Sequence, residues 1–169
     1  YIPASSGYLL YRLYHFINND IKCNGWQMFN LYWVDDDFAN QTAELTISGE
    51  WECAFKLTGR DDFSGGHTHG DEIMSAFTAL LDGVPVTISD LTTRTSFNEL
   101  KLIETSAMYD PADHTTVVAN HGREYIFNAD GMTINQSLDW LVNSDVENCY
   151  MAMFLPSKKR LDRAIANND

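Results

Sequence analysis

The feature that most constrains this fold is an alternation of apolar and polar side chains with a period of two residues. Residues 51–57 alternate Trp, Cys, Phe and Leu with polar or smaller residues, and residues 132–140 repeat the pattern with Met, Ile, Leu and Trp. A period of two places every second side chain on the same face of a β-strand. These runs therefore predict strands with one buried face and one wetter face.

Turn-forming residues separate the runs. Residues 48–50 predict a hairpin that joins strand 43–47 to strand 51–57, and residues 128–131 predict a second hairpin between 125–127 and 132–140. Asp82 and Gly83 predict a tight turn before residues 84–88, where Pro85 indicates an edge strand. Further strands are expected from the aromatic and branched residues that the runs 8–17, 26–34, 97–103 and 149–155 contain.

The segment 71–83 fits both a helical stripe and strand pairing, and a strand is favoured because the Asp-Gly turn leads into a β run. Many short strands with such turns predict an all-β fold, an antiparallel β-sandwich of the jelly-roll type with at most one or two short helices. The chain has 169 residues, of which 44% are hydrophobic. We expect a single domain over 1–169, within a longer chain or alone, with 156–169 as a C-terminal tail.

The charge of the chain excludes several partners. Eleven Lys and Arg against 24 Asp and Glu give a net charge of −13, which repels phosphate backbones and anionic membrane faces. No apolar run is long enough for membrane insertion. The three cysteines lack a CxxC pair, so neither a zinc knuckle nor a disulfide framework is predicted.

The segment 67–72 concentrates side chains that can carry chemistry. His67, His69, Asp71 and Glu72 follow the glycine-rich residues 63–66, and two of the five histidines of the chain lie one residue apart. We expect Gly65, Gly66 and Gly70 to adopt positive φ and to place these side chains at the rim of a groove. His69 is the predicted catalytic residue of this loop, and His67, Asp71 and Glu72 are predicted to bind substrate. The alternative is a solvated turn in which Asp71 caps the next element.

A second candidate set lies in residues 121–125. His121, Arg123 and Tyr125 share one face if this run is a strand, and a His base, an Arg clamp and a Tyr acid would suit proton removal next to a uronate carboxylate. These three are the other predicted catalytic residues, with Arg123 as the anchor for an acidic glycan. The following strand would offer Gln136 or Asn135 to the same groove, depending on its register. The alternative is an ordinary solvated strand face.

Two resemblances bear on function. His67, His69 and Glu72 partly resemble the first cupin motif, which implies a divalent metal at these three residues, although two residues rather than three or four separate the second His from the Glu. The order of residues 65–72, 81–83, 121–125, 136–140 and 150–153 resembles bacteriophage tail and appendage domains with concanavalin A-like sandwiches, a group that includes lectins and polysaccharide lyases.

The second resemblance implies the leading expectation for function. It is a carbohydrate-binding domain of a virion tail or another extracellular protein, without a cofactor, that binds bacterial surface polysaccharide in host recognition. If it also depolymerises the polysaccharide, the resemblance implies a polysaccharide lyase or a glycoside hydrolase. The alternatives are a structural module without activity, which only forms a homotrimer or attaches a neighbouring domain, and a cupin-like metalloenzyme.

Overall fold

The computed structural model describes residues 1–4, 6–38, 41–46, 51, 53–92 and 96–153, and it confirms the all-β class. Its strands are β1 (Ile2–Pro3), β2 (Tyr8–Asn18), β3 (Cys23–Val34), β4 (Gln41–Glu44), β5 (Ala54–Leu57), β6 (Glu72–Leu81), β7 (Val84–Val86), β8 (Glu99–Tyr109), β9 (Val117–Asn128), β10 (Gly131–Trp140) and β11 (Val146–Tyr150). Helical structure in these ranges is limited to the single turn α1 (Gly66–His69) and a 3-10 turn (Ile88–Thr92). None of it is long and apolar enough to cross a membrane.

Nine of these strands form one large sheet with the order β1-β2-β3-β6-β8-β9-β10, in which β4 pairs with β3 and β7 with β6. β11 and β5 form a second, two-stranded sheet. The described pairs are antiparallel except for β3 and β6, which run parallel over only two pairs, Cys23 with Glu72 and Asn24 with Ile73. The large sheet curls into a half-barrel, so that side chains of β9 reach the backbone of β3.

Several predicted turns and strands are confirmed. The β9–β10 hairpin turns between Asn128 and Gly131, and β6 turns into β7 at Asp82 and Gly83. β7, which contains Pro85, pairs only with β6 among the described strands and is an edge strand, as its missing N–H requires. The ambiguous segment 71–83 is strand β6 rather than a helix.

The predicted hairpin between residues 43–47 and 51–57 is wrong. β4 pairs with β3 in the large sheet, whereas β5 pairs with β11 in the small one. Alternation identifies a strand and its buried face but not its partner strand. Here the side chains of Phe55 and Leu57 pack in an apolar cluster with Met108, Val118 and Ala119. The turn expected at 48–50 and the tail 156–169 lie outside the described residues.

The interior has an apolar cluster at each end and a polar layer between them. Along β8 the inward positions run from Leu102 through Glu104 and Ser106 to Met108, and along β9 they include His121 and Arg123 between Ala119 and Tyr125. Leu102 and Tyr125 belong to one apolar cluster, and Met108 and Ala119 belong to the other. A row of ionisable side chains therefore lies between two hydrophobic cores.

Candidate functional site

The loop before β6 depends on glycines for close backbone packing. Gly65, Gly66 and Gly70 have φ values of 106°, 76° and 80°, so the predicted positive φ is confirmed at all three. A Cβ on Gly70 would lie 1.8 Å from the carbonyl oxygen of Ile21, and a Cβ on Gly65 would lie 2.4 Å from that of Cys53. The glycines let the loop lie directly on neighbouring strands, which fixes where each following side chain points.

The two histidines of this loop take separate partners. His67 Nδ1 lies 2.7 Å from Gln27 Oε1, and its ring stacks on Phe16 with the centroids 4.6 Å apart. His69 Nδ1 lies 3.1 Å from a carboxylate oxygen of Asp62, an exposed residue. Within the described ranges no group of three or more His, Cys, Asp and Glu could hold a metal ion. The geometry therefore gives no support to a metal site at His67, His69 and Glu72.

Asp71 is buried and holds a histidine that the sequence analysis did not include in the site. Both of its carboxylate oxygens lie about 3 Å from Nδ1 of His114, at 2.9 and 3.0 Å. The Asp71 side chain is 3% exposed, whereas that of His114 is 63% exposed. Asp71 is thus neither a solvated turn residue nor a helix cap, and it orients an imidazole at the surface.

Glu72 points to the opposite side, into the polar layer. Its Oε1 accepts hydrogen bonds from Ser106 Oγ at 2.6 Å and from His121 Nδ1 at 2.7 Å, and its Oε2 accepts one from the backbone N–H of Gly66 at 3.0 Å. Arg123 Nη2 lies 3.2 Å from the same Oε1. Burial alone would raise the pKa of Glu72, but Arg123, His121 and Ser106 together outweigh it and hold the pKa well below its usual range.

Arg123 is held between two buried carboxylates. Its Nη1 lies 3.2 Å from Glu104 Oε1 on one side, and its Nη2 contacts Glu72 on the other. All three side chains are at most 3% exposed. Burial disfavours the charged guanidinium, but the two carboxylates more than compensate and keep the pKa of Arg123 above its usual value. Removal of one member of such a buried set typically costs 3–5 kcal/mol, roughly, because a charge is left unpaired.

These side chains also seal a gap in the sheet. The pairing of β3 with β6 ends after Asn24. Beyond that point the backbone of Trp26 bonds to side chains instead of to β6. Its N–H donates to Glu104 Oε2 at 2.7 Å, and its carbonyl accepts from Arg123 Nη1 at 2.7 Å. Tyr125 Oη accepts from the N–H of Met28 at 3.4 Å. We call this gap, closed by Glu104, Arg123 and Tyr125, the seam. An unpaired buried N–H or C=O is costly, so the seam explains why polar residues lie inside.

Glu104 has the least usual protonation behaviour of the layer. Burial raises its pKa to about 7, and Arg123 and the N–H of Trp26 offset this only in part. Gly25 makes the approach possible, since a Cβ there would lie 3.0 Å from Glu104 Oε1. Near neutral pH the carboxyl group of Glu104 is therefore divided between its protonated and ionised forms.

The predicted shared face of His121, Arg123 and Tyr125 is confirmed, but the expectation that it faces a substrate groove or solvent is wrong. His121 is 1%, Arg123 2% and Tyr125 2% exposed. Gln136 lies opposite Arg123 in the β9–β10 register, and its Oε1 is 3.0 Å from His121 Nε2, so the sequence prediction correctly placed Gln136 beside this set. Both ring nitrogens of His121 are occupied inside the protein. In this structure the three predicted catalytic side chains are buried.

An open groove lies on the other face of the same strands. It has a volume of about 250 Å³ and lies over β8, β9 and β10. Its lining residues are Ile103, Glu104, Thr105, Gly122, Arg123, Glu124, Asn135, Gln136 and Ser137. Asn135 Nδ2 donates to Glu124 at 2.7 Å, and Lys101 Nζ lies 3.3 Å from the same carboxylate. Gly122 leaves the floor open because it has no side chain. We call this feature the outer groove.

Sequence reasoning missed two residues of these sites, Glu104 and His114. A signal for Glu104 was present: it occupies an inward position of β8 between Leu102 and Met108, where an apolar residue would be expected. His114 lies in a loop, and nothing in the local sequence indicates that Asp71, 43 residues earlier, is its partner. Comparison with protein-family models, with curated proteins and with solved structures finds no match to this chain.

Proposed function

We propose that this domain binds carbohydrate in the outer groove, as part of a phage tail or another extracellular protein, with bacterial surface polysaccharide as its partner. The observation that supports the proposal is the groove itself. It spans three adjacent strands, roughly 10 Å at the usual strand spacing. A short segment of an extended polymer can lie across the strands over this distance.

The groups around the groove suit sugar hydroxyls. Thr105 and Ser137 provide hydroxyls that both donate and accept, Asn135 provides an amide, and Glu124 provides carboxylate oxygens. Sugars present hydroxyls with the same dual character. A few convergent polar groups on an otherwise accessible surface are typical of sites that fix the orientation of a polar ligand.

The charges favour a neutral glycan over a uronate. Lys101 is ion-paired with Glu124, and the guanidinium of Arg123 lies on the inner side with its two carboxylates. The guanidinium of Arg123 is therefore already paired with two buried carboxylates and is not free to anchor an acidic glycan. Asn135 and Lys101 also hold the pKa of Glu124 below its usual value, which favours the ionised form rather than a proton donor to a glycosidic oxygen. We propose binding without depolymerisation.

Filling the floor of the groove tests this proposal. Gly122→Val adds a side chain where the nearest obstacle is Ser137 Oγ, 2.7 Å from the new Cβ, and this hydroxyl can rotate away. We expect Gly122→Val to weaken binding at least about 10-fold, or about 1.4 kcal/mol, on the polysaccharide that the wild type retains best from an array of neutral and acidic capsular glycans. Thr133→Ala, an exposed change on β10 outside the groove, is the matched control. Retention of no glycan, or equal binding by both variants, would reject the proposal.

An attachment module is the second candidate, and one observation favours it. Large apolar side chains are exposed together at the end of β10 and along β11: Trp140, Leu141, Val146, Tyr150 and Met151. Every residue of β11 is exposed, and its only strand partner in the described chain is β5. Exposed apolar side chains on an edge strand are typical of surfaces that pair with another chain.

A further inference from the structure

Three residues with left-handed backbone meet at the surface beside the loop that precedes β6. Lys22, Asp71 and His114 have φ values of 53°, 54° and 57°, and they come from three separate segments. Direct contacts link them: the N–H of Glu72 donates to the carbonyl of Lys22, Lys22 Nζ donates to the carbonyl of His114, and Asp71 binds the His114 ring. Left-handed φ costs a non-glycine residue roughly 1–2 kcal/mol, and such strain is concentrated at functional sites.

The hydrogen bonds of His114 fix its tautomer. The Asp71 carboxylate can only accept, so Nδ1 of His114 carries the proton that it donates. Nε2 then bears the lone pair, and the ring that carries it is 63% exposed. This nitrogen has no hydrogen-bond partner among the described residues. His114 therefore presents a proton acceptor to solvent, with its orientation held by a buried carboxylate.

The other described histidines lack this combination. His121 also donates from Nδ1 to a buried carboxylate, but its ring is 0% exposed and Nε2 lies against Gln136. His69 has an exposed Asp62 as its partner, His67 contacts the amide of Gln27, and His15 contacts the amide of Asn24. His114 is the one whose position resembles that of a general base.

A cation contacts the backbone of the residue that carries this imidazole. Lys22 Nζ is 3.3 Å from the centroid of the Tyr109 ring and donates to the carbonyl of His114. The N–H of Tyr109 in turn donates to the carbonyl of Asp71 at 2.8 Å. An ammonium held in place by a ring and a carbonyl can stabilise negative charge that develops near it.

We propose that Asp71, His114 and Lys22 form a hydrolytic site for acyl esters, separate from the outer groove. His114 Nε2 accepts a proton from water while the water oxygen bonds to the ester carbonyl carbon, and the carbonyl electron pair moves onto its oxygen. Lys22 stabilises that oxyanion. When the intermediate collapses, the bond to the alkoxide breaks and the alkoxide takes the proton from the imidazolium, so that an acid and an alcohol are released. Asp71 holds the tautomer and is a positioning residue.

The test uses 4-nitrophenyl acetate as substrate and the full chain. His114→Asn and Asp71→Asn both retain a residue type that tolerates left-handed φ, so neither variant adds backbone strain at these positions. We expect His114→Asn to lower kcat/KM about 100-fold and Lys22→Met to lower kcat. His15→Gln removes an exposed histidine that has no carboxylate partner, and it should leave the rate unchanged.

A second readout separates catalysis from a structural role of the pair. In the wild type, ¹⁵N chemical shifts of His114 should show a protonated Nδ1 and an unprotonated Nε2. Asp71→Asn should move these shifts towards a mixture of tautomers and lower kcat about 10-fold or more. If the His114 and Asp71 variants lower the melting temperature but hydrolyse the ester at the wild-type rate, the pair only fastens the loop and the proposal is wrong.

Discussion

At the scale of single residues, Glu104 links the stability of the fold to pH. Its carboxyl group is buried against Arg123, Glu72, Tyr125 and the backbone of Trp26, and its pKa is raised to about 7 from an ordinary value of 4.5. The folded state therefore binds this proton more tightly than the unfolded state. Stability from this group is fully present below pH 4.5 and is lost as pH rises through 7.

The Glu104→Gln variant should remove that dependence. A pKa shift from 4.5 to about 7 corresponds to roughly 3 kcal/mol of unfolding free energy, lost as the pH rises across this range. Glutamine imitates the neutral carboxyl group. We expect the wild type to lose stability between pH 5 and pH 7.5 in urea unfolding, and the variant to lose much less. Glu124→Gln, a change at a partly buried carboxylate whose pKa is lowered, is the control and should retain the wild-type slope. Equal slopes for Glu104→Gln and the wild type would contradict a raised pKa of Glu104.

At the scale of elements, two glycines with the same φ allow the cost of backbone strain to be measured separately from the cost of a steric clash. Gly70 and Gly83 both have φ of 80°, but a Cβ on Gly70 would clash with the carbonyl of Ile21, whereas a Cβ on Gly83 meets nothing within 4 Å. We expect Gly83→Ala to cost about 1–2 kcal/mol of unfolding free energy from φ alone. Gly70→Ala should cost clearly more, because it also pushes β6 away from the start of β3. Equal losses in denaturant titrations would show that the clash is relieved without disturbing this junction.

Local patterns in the sequence predict much of this fold because they act over a few residues. The β9–β10 hairpin, the strand β6 and the shared face of His121 and Arg123 follow from periodicity and turn residues. What periodicity leaves open is which face is inside. Charged residues usually face water. The burial of Arg123 becomes favourable only through its ion pairs with Glu72 and Glu104, which lie 51 and 19 residues away in the sequence. The partners of β4 and β5 and the Asp71–His114 pair depend on similarly distant contacts.

At the scale of the whole molecule, the exposed apolar side chains of β10 and β11 predict self-association. Val146 is 38% exposed on β11, which has one free edge in the described chain, and Leu141 beside it is 52% exposed. We expect sedimentation of the purified domain to show oligomers, with the predicted homotrimer as the leading candidate, and Val146→Asp to shift it to monomer. Val84→Asp, at an exposed valine on β7, should leave the mass unchanged. A monomeric wild type at concentrations of tens of micromolar would exclude the trimerisation module.

The seam also determines the order in which the chain can assemble. Its hydrogen bonds join residues 78 and 97 positions apart, whereas the β9–β10 hairpin turns between residues three positions apart. Bringing distant segments together costs chain entropy that a hairpin does not incur, so the hairpins form first and the sheet rolls up last. That final step joins a carboxyl group and a guanidinium to a strand edge. The rate at which the sheet rolls up should therefore depend on pH. The rate at which the hairpins form earlier should depend instead on their apolar side chains.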